Sequence, residues 1–382
     1  MGIYLDFNAT HPPDQKILLE AMQLYFKNFA NPSGRSKASQ EAEYHIEKAR
    51  KKVAEFLWVQ PNQIVFTSGS TESAGICSYV LSELYPTHKV AMSSFEHPAI
   101  SENFMRKFHN VHVLPAKEED ALSQLQKESF SVLAYSLGHG ETGIAPSLSF
   151  LQAIPEETFL LADASQIIRH FFQYSIYKQN KQEEVQAIMN AVLTRENSAL
   201  FFSSHKIGAG HGSSALVLPR NPALQSAFAK YKPFFGGNQE NEMRPGTSNF
   251  VSILALAKRL SYLPNVKEGQ DNAKTTFLFE KRIQTVLQEK ATIVGYENHR
   301  IPGTTLLYLP HTDIDFLLMA LDMEGISVST GTSCKSRSRT PSPTLLQMGF
   351  SPEEAIQVIR FSYDYTFSEQ DMEQVLLVLE KA

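Results

Sequence analysis

The segment SALFFSSHKIGAGHG, 198–212, is an apolar run that ends in Ser203, Ser204, His205 and Lys206 and passes into a glycine-rich turn. Lysine is seldom buried. At the end of a buried strand it loses hydration, its pKa falls and its amine becomes fit to form a Schiff base; the alternative is a lysine leaving the strand for solvent. A second apolar run, TFLLADASQ at 158–166, ends in Asp163. Parallel α/β sheets place ligands beyond the C-terminal ends of their strands, so this carboxylate is a ligand-binding group, a helix cap or a surface-loop aspartate. A third segment, FTSGSTES at 66–73, follows a strand and opens a helix. Gly69 permits a tight turn there. Ser70 and Thr71 bring hydroxyl and amide donors to a helix N-terminus, an arrangement that suits a phosphate and equally suits plain capping, with Glu72 favouring the helix dipole.

Cys334, in SVSTGTSCKSRS at 327–338, stands among Ser, Thr and Gly with Lys335, Arg337 and Arg339 nearby. Positive charge favours the thiolate, which is the nucleophilic form. Cys77, on an apolar helix, fits a small buried hydrophobe instead. His97, in SSFEHPAIS, follows a strand and suits stacking on a flat cofactor, proton transfer, or a plain loop position. Arg360, in VIRFSYD, lies inside an apolar strand, where it needs an anion: a substrate carboxylate or a structural ion-pair partner.

The elements that must position these groups are legible as an alternation. Apolar, unalternating strands are expected at 64–67, 89–93, 111–114, 131–136, 158–163, 198–204 and 214–218, with helices at 71–84 and 98–108 between the first of them. Strands of this kind are buried on both faces, and strand–helix alternation implies a mostly parallel sheet with right-handed crossovers. Residues 36–57 read as an amphipathic helix with Ile46, Ala49, Val53 and Leu57 on one side. After about residue 250 the pattern changes to a long helical stretch, strand 304–309, helix 313–324, strands 326–330 and 357–362, and helix 368–381, which reads as a smaller α+β domain. The polar, helix-prone segment 172–197 separates two strands.

The chain as a whole narrows the class. Its 382 residues allow two or three domains, and 42% hydrophobic with 20% charged residues is ordinary for a globular protein. A formal net charge of −5 gives no basic footprint for nucleic acid. Two cysteines make no disulfide framework and suit a reducing compartment. The first residues carry no signal-peptide pattern, and no run approaches the ~20 apolar residues of a membrane helix. These features point to a cytoplasmic protein. No residue is assigned to a metal.

In order and spacing, TSGSTES, EHPA, DASQ, SSHKIGAG, GTSC and IRFS resemble the cysteine desulfurases of NifS/IscS type in the class V aminotransferase family. YLDFNAT at 4–10, NPSGRS at 31–36 and FFGGNQENEMRPGT at 234–247 extend the resemblance over nearly the whole chain. It implies the fold-type I architecture of pyridoxal 5'-phosphate (PLP) enzymes: a seven-stranded, mostly parallel sheet in a large domain at 15–250, and a small α+β domain from 1–14 and 251–382 that carries the cysteine loop. It also implies a homodimer. Lys206 would carry the cofactor, Asp163 would pair with the ring nitrogen, Gln166 would bond the phenolic oxygen and His97 would stack on the ring. Thr71, Ser203 and His205 would hold the phosphate with Ser70 nearby, and Thr247 would reach the partner subunit's phosphate. Asn31 and Arg360 would bind the substrate carboxylate. Cys334 would take sulfur from L-cysteine as a persulfide, leaving alanine, for an acceptor protein in iron–sulfur cluster assembly or tRNA thiolation. Selenocysteine lyase activity uses the same parts, and a weakened sulfur-relay or scaffold-binding homologue would keep the fold. Three departures stand out. His139-Gly140-Glu141 occupies the place of the family's Asn-Asn-Glu, Gly75 replaces an asparagine, and 40 positions separate Gln166 from Lys206.

Overall fold

The computed structural model describes residues 2–174, 181–261, 272–330 and 340–381, with backbone only for 171–174 and 181–184. The chain forms two compact units. The larger comprises 12–137 and 146–264; the smaller comprises 1–11, 138–145 and 265–382.

The larger unit is built on a seven-stranded sheet. Across the sheet the order is Ile64–Thr67, Ser214–Val217, Ser198–Ser203, Phe159–Asp163, Val132–Ser136, Val90–Met92 and Val111–Val113. Every neighbouring pair is parallel except those made by Ser214–Val217, which runs antiparallel to both its partners. The central strands are buried along their full length, as continuous apolar runs require. The helix Lys37–Leu57 is capped by Ser36, whose side chain accepts from Ser39 N, and it ends at Trp58 in the left-handed conformation. Its stripe of Ile46, Ala49, Val53 and Leu57 is buried, and the helix packs with the helix Phe250–Ser261. Each such large aliphatic side chain contributes about 1.5–3 kcal/mol on burial. The segment 172–197 is partly described: the helix Ile167–Tyr174 ends in it, the helix Lys181–Leu193 lies within it, and 175–180 fall outside the described residues.

In the smaller unit, Thr304–Tyr308 is the middle strand of an antiparallel sheet, with Val358–Ser362 on one side and Thr292–Ile293 on the other. Ile3–Tyr4 pairs in parallel with Ile326–Ser327. The strand expected at 326–330 is therefore two residues long, with an isolated bridge from Ser329 to Arg360 continuing its edge. The core holds Phe279, Phe361, Tyr363 and Phe367, with Phe279 edge-on to the other three at centroid distances of 5.0–5.6 Å. Such edge-to-face contacts add about 0.5–1.5 kcal/mol beyond area burial. Among the described residues no helix is long and apolar enough to cross a membrane.

Candidate active site

Asp163 closes the central strand Phe159–Asp163 and is buried. Burial raises its pKa, against bonding from the side chain and backbone of Ser165 and the charges of His97 and Lys206. Ser165 N donates to Oδ1 at 2.8 Å. The next strand in sequence, Ser198–Ser203, lies beside it and runs into the turn Ser204–Ile207, which ends at Gly208 with φ 80°. That left-handed conformation suits glycine, and it presents the Gly208 carbonyl to Asp14 N at 2.8 Å. Lys206 and His205 sit half-buried in this turn. His205 stacks on His211 with centroids 5.2 Å apart, and its pKa is pushed down to about 4 by burial, then by Lys206 and His211. It is thus neutral near pH 7.

His97 caps the helix Pro98–Lys107: its Nδ1 accepts from Ala99 N at 3.0 Å. An accepting Nδ1 puts the neutral ring's proton on Nε2. Desolvation lowers its pKa, Asp163 works to raise it and Lys206 lowers it further. Asp163, His97 and Lys206 thus interact electrostatically as one group at the C-terminal ends of the parallel strands.

Ser70 opens the helix Ser70–Leu84. Its amide donates to Ser203 Oγ at 2.9 Å, and its hydroxyl lies 2.8 Å from that of Ser203 and 2.9 Å from that of Ser165. This chain of hydroxyls joins the helix N-terminus to the Asp163 loop. Thr71, in the same turn, is exposed. Gly69 differs from the sequence expectation. Its φ of 174° is extended and needs no glycine, so it makes no tight turn. A Cβ there would meet none of the described atoms within 4 Å, which leaves the turn open to a ligand.

Two further loops are tied to this turn. Glu72 accepts from Ser68 N at 2.6 Å and from Arg244 Nε at 2.8 Å; these bonds outweigh burial and hold its pKa below the ordinary range. Arg244 lies in the loop that carries the exposed Thr247, and together with Phe234 and Phe235 they line a cleft of about 500 Å³. Gln239 bridges that loop to the NPSGRS turn: its Nε2 donates to Ser33 Oγ at 2.9 Å and its Oε1 accepts from Gly246 N at 3.1 Å. In the turn, exposed Asn31 accepts from Ser33 N at 3.0 Å. Gln166 is half-buried directly after Ser165.

Arg360 belongs to the smaller unit. Its Nη2 donates to Asp6 Oδ1 at 2.5 Å and its Nη1 to the Gly140 carbonyl at 2.8 Å, while Nε has no partner among the described residues. Asn8 Nδ2 also donates to that carbonyl, at 3.0 Å, and Ser342 Oγ donates to buried Glu141 at 2.6 Å. Gly140 therefore anchors both Arg360 and Asn8 through its backbone carbonyl. At Gly75 a Cβ would touch only Asn103 Oδ1, at 3.9 Å. Cys77 is buried, and burial pushes its thiol well above the usual range. Cys334, Lys335, Arg337 and Arg339 lie outside the described residues.

The profile of the class-V aminotransferases matches residues 3–375. The chain belongs to the class-V aminotransferase family. Among its relatives in that family is a protein of Dictyoglomus turgidum named cysteine desulfurase IscS, 28% identical over 399 residues, covering 99% of this chain and 94% of that one. The cysteine desulfurase NifS of Azotobacter vinelandii is 26% identical over 390 residues, covering 98% and 90%. A NifS-like protein from Rickettsia africae has the same fold, with a TM-score of 0.79, 24% identity, and coverage of 100% of this chain and 99% of that one.

Sequence reasoning missed Ser165, Glu72 with Arg244, and Gln239 as members of this network. All stand inside motifs quoted above for the resemblance. What the motifs do not reveal is the pairing, which joins positions up to 206 residues apart.

Proposed function

We propose that this protein is a PLP-dependent cysteine desulfurase, which converts L-cysteine to L-alanine and passes the sulfur as a persulfide on Cys334 to an acceptor protein. The observation that carries the reading is the grouping of Asp163, His97 and Lys206 beside the hydroxyl-lined helix N-terminus at Ser70. The relatives named cysteine desulfurase support the choice of substrate.

The residues fit the cofactor's two ends. A buried carboxylate whose pKa is raised gains from a cationic ring nitrogen, and Ser165 N engages only its Oδ1. A helix N-terminus with Ser70, Ser203 and open space at Gly69 suits a phosphate. When bound, PLP supplies an electron sink for charge developing at the substrate Cα. Lys206 is the attachment amine, and its Nζ takes the Cα proton of cysteine. Asp163 holds the proton on the ring nitrogen. His97 lies against the ring with its proton on Nε2, and Gln166 bonds the phenolic oxygen. Thr71, Ser203 and His205 bind the phosphate. Asn31 and Arg360 orient the substrate carboxylate; the unpartnered Nε of Arg360 supports that role. The Cys334 thiolate attacks the substrate sulfur; an S–S bond forms, the Cβ–S bond breaks, and its electron pair is protonated on the carbon that becomes alanine's methyl group.

We also read the protein as a homodimer. Phe235, 83% exposed beside Thr247, supports a partner surface there, with Thr247 reaching the partner's phosphate. A reducing, cytoplasmic setting suits Cys334 as a free thiol. The test is incubation of the PLP-loaded protein with L-cysteine, followed by alanine assay and mass spectrometry of the Cys334 peptide. A gain of one sulfur on that peptide with alanine in solution is expected. Absence of alanine overturns the reading, and turnover of selenocysteine with negligible turnover of cysteine replaces it with a lyase.

A further inference from the structure

Glu96 immediately precedes His97, and no role above uses it. Its carboxylate reaches across the sheet edge to the next strand. Oε1 accepts from Ser93 Oγ at 2.6 Å and from Ser136 N at 2.7 Å, and Oε2 accepts from Ser136 Oγ at 2.8 Å. Ser136 ends the strand Val132–Ser136, and its partner across the parallel ladder is Asp163. Leu137 N then donates to the Asp163 carbonyl at 2.9 Å. One side chain therefore bonds the residue paired with Asp163 while its own backbone leads directly into His97. Both serines are buried, so donors left without this acceptor would stay desolvated.

We propose that Glu96 is a positioning residue for the site: its three accepted hydrogen bonds fix the separation of His97 from Asp163. The proposal rests on the cofactor reading above, in which those two residues address the face and the nitrogen of one planar ring. Fixed spacing matters there, because catalytic groups held loosely by about 1 Å lose much of their effect. Desolvation pushes the Glu96 carboxyl up to about 7, with the Asp163 charge contributing, so the clamp is built at an electrostatic cost that packing alone does not require.

The distinguishing substitutions are Glu96→Ala, which removes the clamp, and Glu96→Gln, which keeps it. A glutamine Oε1 can accept from Ser93 Oγ and Ser136 N while its Nε2 donates to Ser136 Oγ. Each apo variant is first checked for its fold by circular dichroism, then titrated with PLP by visible absorption, then assayed with L-cysteine. Glu96→Ala is expected to bind PLP about tenfold more weakly and to lose about tenfold or more in kcat with KM within about threefold; Glu96→Gln is expected to restore both to within about threefold. Glu96→Ala that matches wild type in affinity and kcat overturns the proposal, and so does Glu96→Gln as impaired as Glu96→Ala. If Glu96→Ala does not fold, Ser136→Ala and Ser93→Ala each remove part of the clamp. A smaller loss in both affinity and kcat from each supports it, and wild-type values from both overturn it. Wild-type protein that binds PLP but yields no alanine overturns the desulfurase reading alone, since the PLP titrations still decide the role of Glu96. Wild-type protein that binds no PLP overturns both.

Discussion

Glu240→Ala is expected to destabilise the larger unit by about 3 kcal/mol. Glu240 forms a bidentate pair with Arg50, at 2.7 and 3.0 Å, and its Oε2 also accepts from Phe66 N at 2.7 Å. Arg50 Nη1 donates in turn to the Ile64 carbonyl at 2.7 Å. The side chains of the pair are only 7% and 3% exposed. Breaking a buried pair by removing one partner costs about 3–5 kcal/mol, and the stranded Phe66 amide adds about 1–3. Two effects reduce the sum. Glu47 remains bonded to Arg50 Nε at 3.0 Å, though it is half-exposed. The backbone at Glu240, Asn241 and Glu242 is left-handed, with φ of 49°, 54° and 66°, so releasing it recovers about 1–2 kcal/mol per residue that relaxes. The assay is urea denaturation of the apo protein followed by the fluorescence of Trp58, the sole tryptophan, which ends the helix bearing Arg50. Because Gln239 links this turn to Ser33 and Gly246, limited proteolysis at 31–36 and 234–247 should accelerate in the same variant. A loss below about 1 kcal/mol would refute the argument. So would additivity in the Arg50→Ala/Glu240→Ala double variant, because a real pair shows coupling of about 0.5–3 kcal/mol.

Ser203→Ala removes the acceptor for Ser70 N and should weaken PLP binding about tenfold with little change in fold, read by titration and circular dichroism. Cys77→Ala should leave sulfide release from cysteine intact and cost about 1–2 kcal/mol, and thiol reagents should not label Cys77 in the native protein; Cys334→Ala should abolish sulfur release while PLP stays bound. Arg360→Ala breaks the Asp6 pair and takes one of two donors from the Gly140 carbonyl, leaving it Asn8 Nδ2; a rise in KM for cysteine together with a loss of about 2–4 kcal/mol is expected, from steady-state kinetics and denaturation. His205 has a depressed pKa, so its contribution to apo stability is present above about pH 6.5 and is lost as pH falls toward 4; Glu96 has a raised pKa, so its contribution is present below about pH 4.5 and is lost as pH rises through 7. The two slopes oppose each other, and urea midpoints between pH 4.5 and 7 should rise more steeply with pH in Glu96→Gln than in wild type, by about 2 kcal/mol across the window.

The strands were legible because burial on both faces leaves an apolar run of a length that only a strand fills, as at Phe159–Asp163 and Ser198–Ser203. The direction of Ser214–Val217 was not, because an apolar run reads the same in a parallel and an antiparallel ladder. Two-residue strands such as Ile3–Tyr4 and Thr292–Ile293 are too short to show a period. Within the site, Asp163 and Lys206 announced themselves as charges at the ends of apolar strands. Arg50 with Glu240 and Arg244 with Glu72 did not, because a charge on a helix or loop looks solvated until its partner, 172 or more residues away, is brought to it.

The electrostatics of the larger unit converge on one kind of ligand. At the C-terminal ends of its central strands, the surroundings disfavour charge on the titrating groups: Asp163 and Glu96 are held toward their neutral acids, and His97 and His205 toward neutral imidazole. At the adjoining helix N-terminus the surroundings are opposite in kind, since hydroxyl donors and the positive end of a helix dipole are gathered beside a carboxylate, Glu72, that is already paired with Arg244. A simple cation would relieve Asp163 and gain nothing at Ser70; a simple anion would do the reverse. A planar group with a protonated ring nitrogen at one end and a phosphate at the other relieves both at once, and it places its flat face where a neutral histidine can lie against it without a charge to desolvate. The shape of the imbalance therefore favours PLP over either half of it, and it predicts that PLP should bind more tightly than the sum of pyridoxal and inorganic phosphate measured separately.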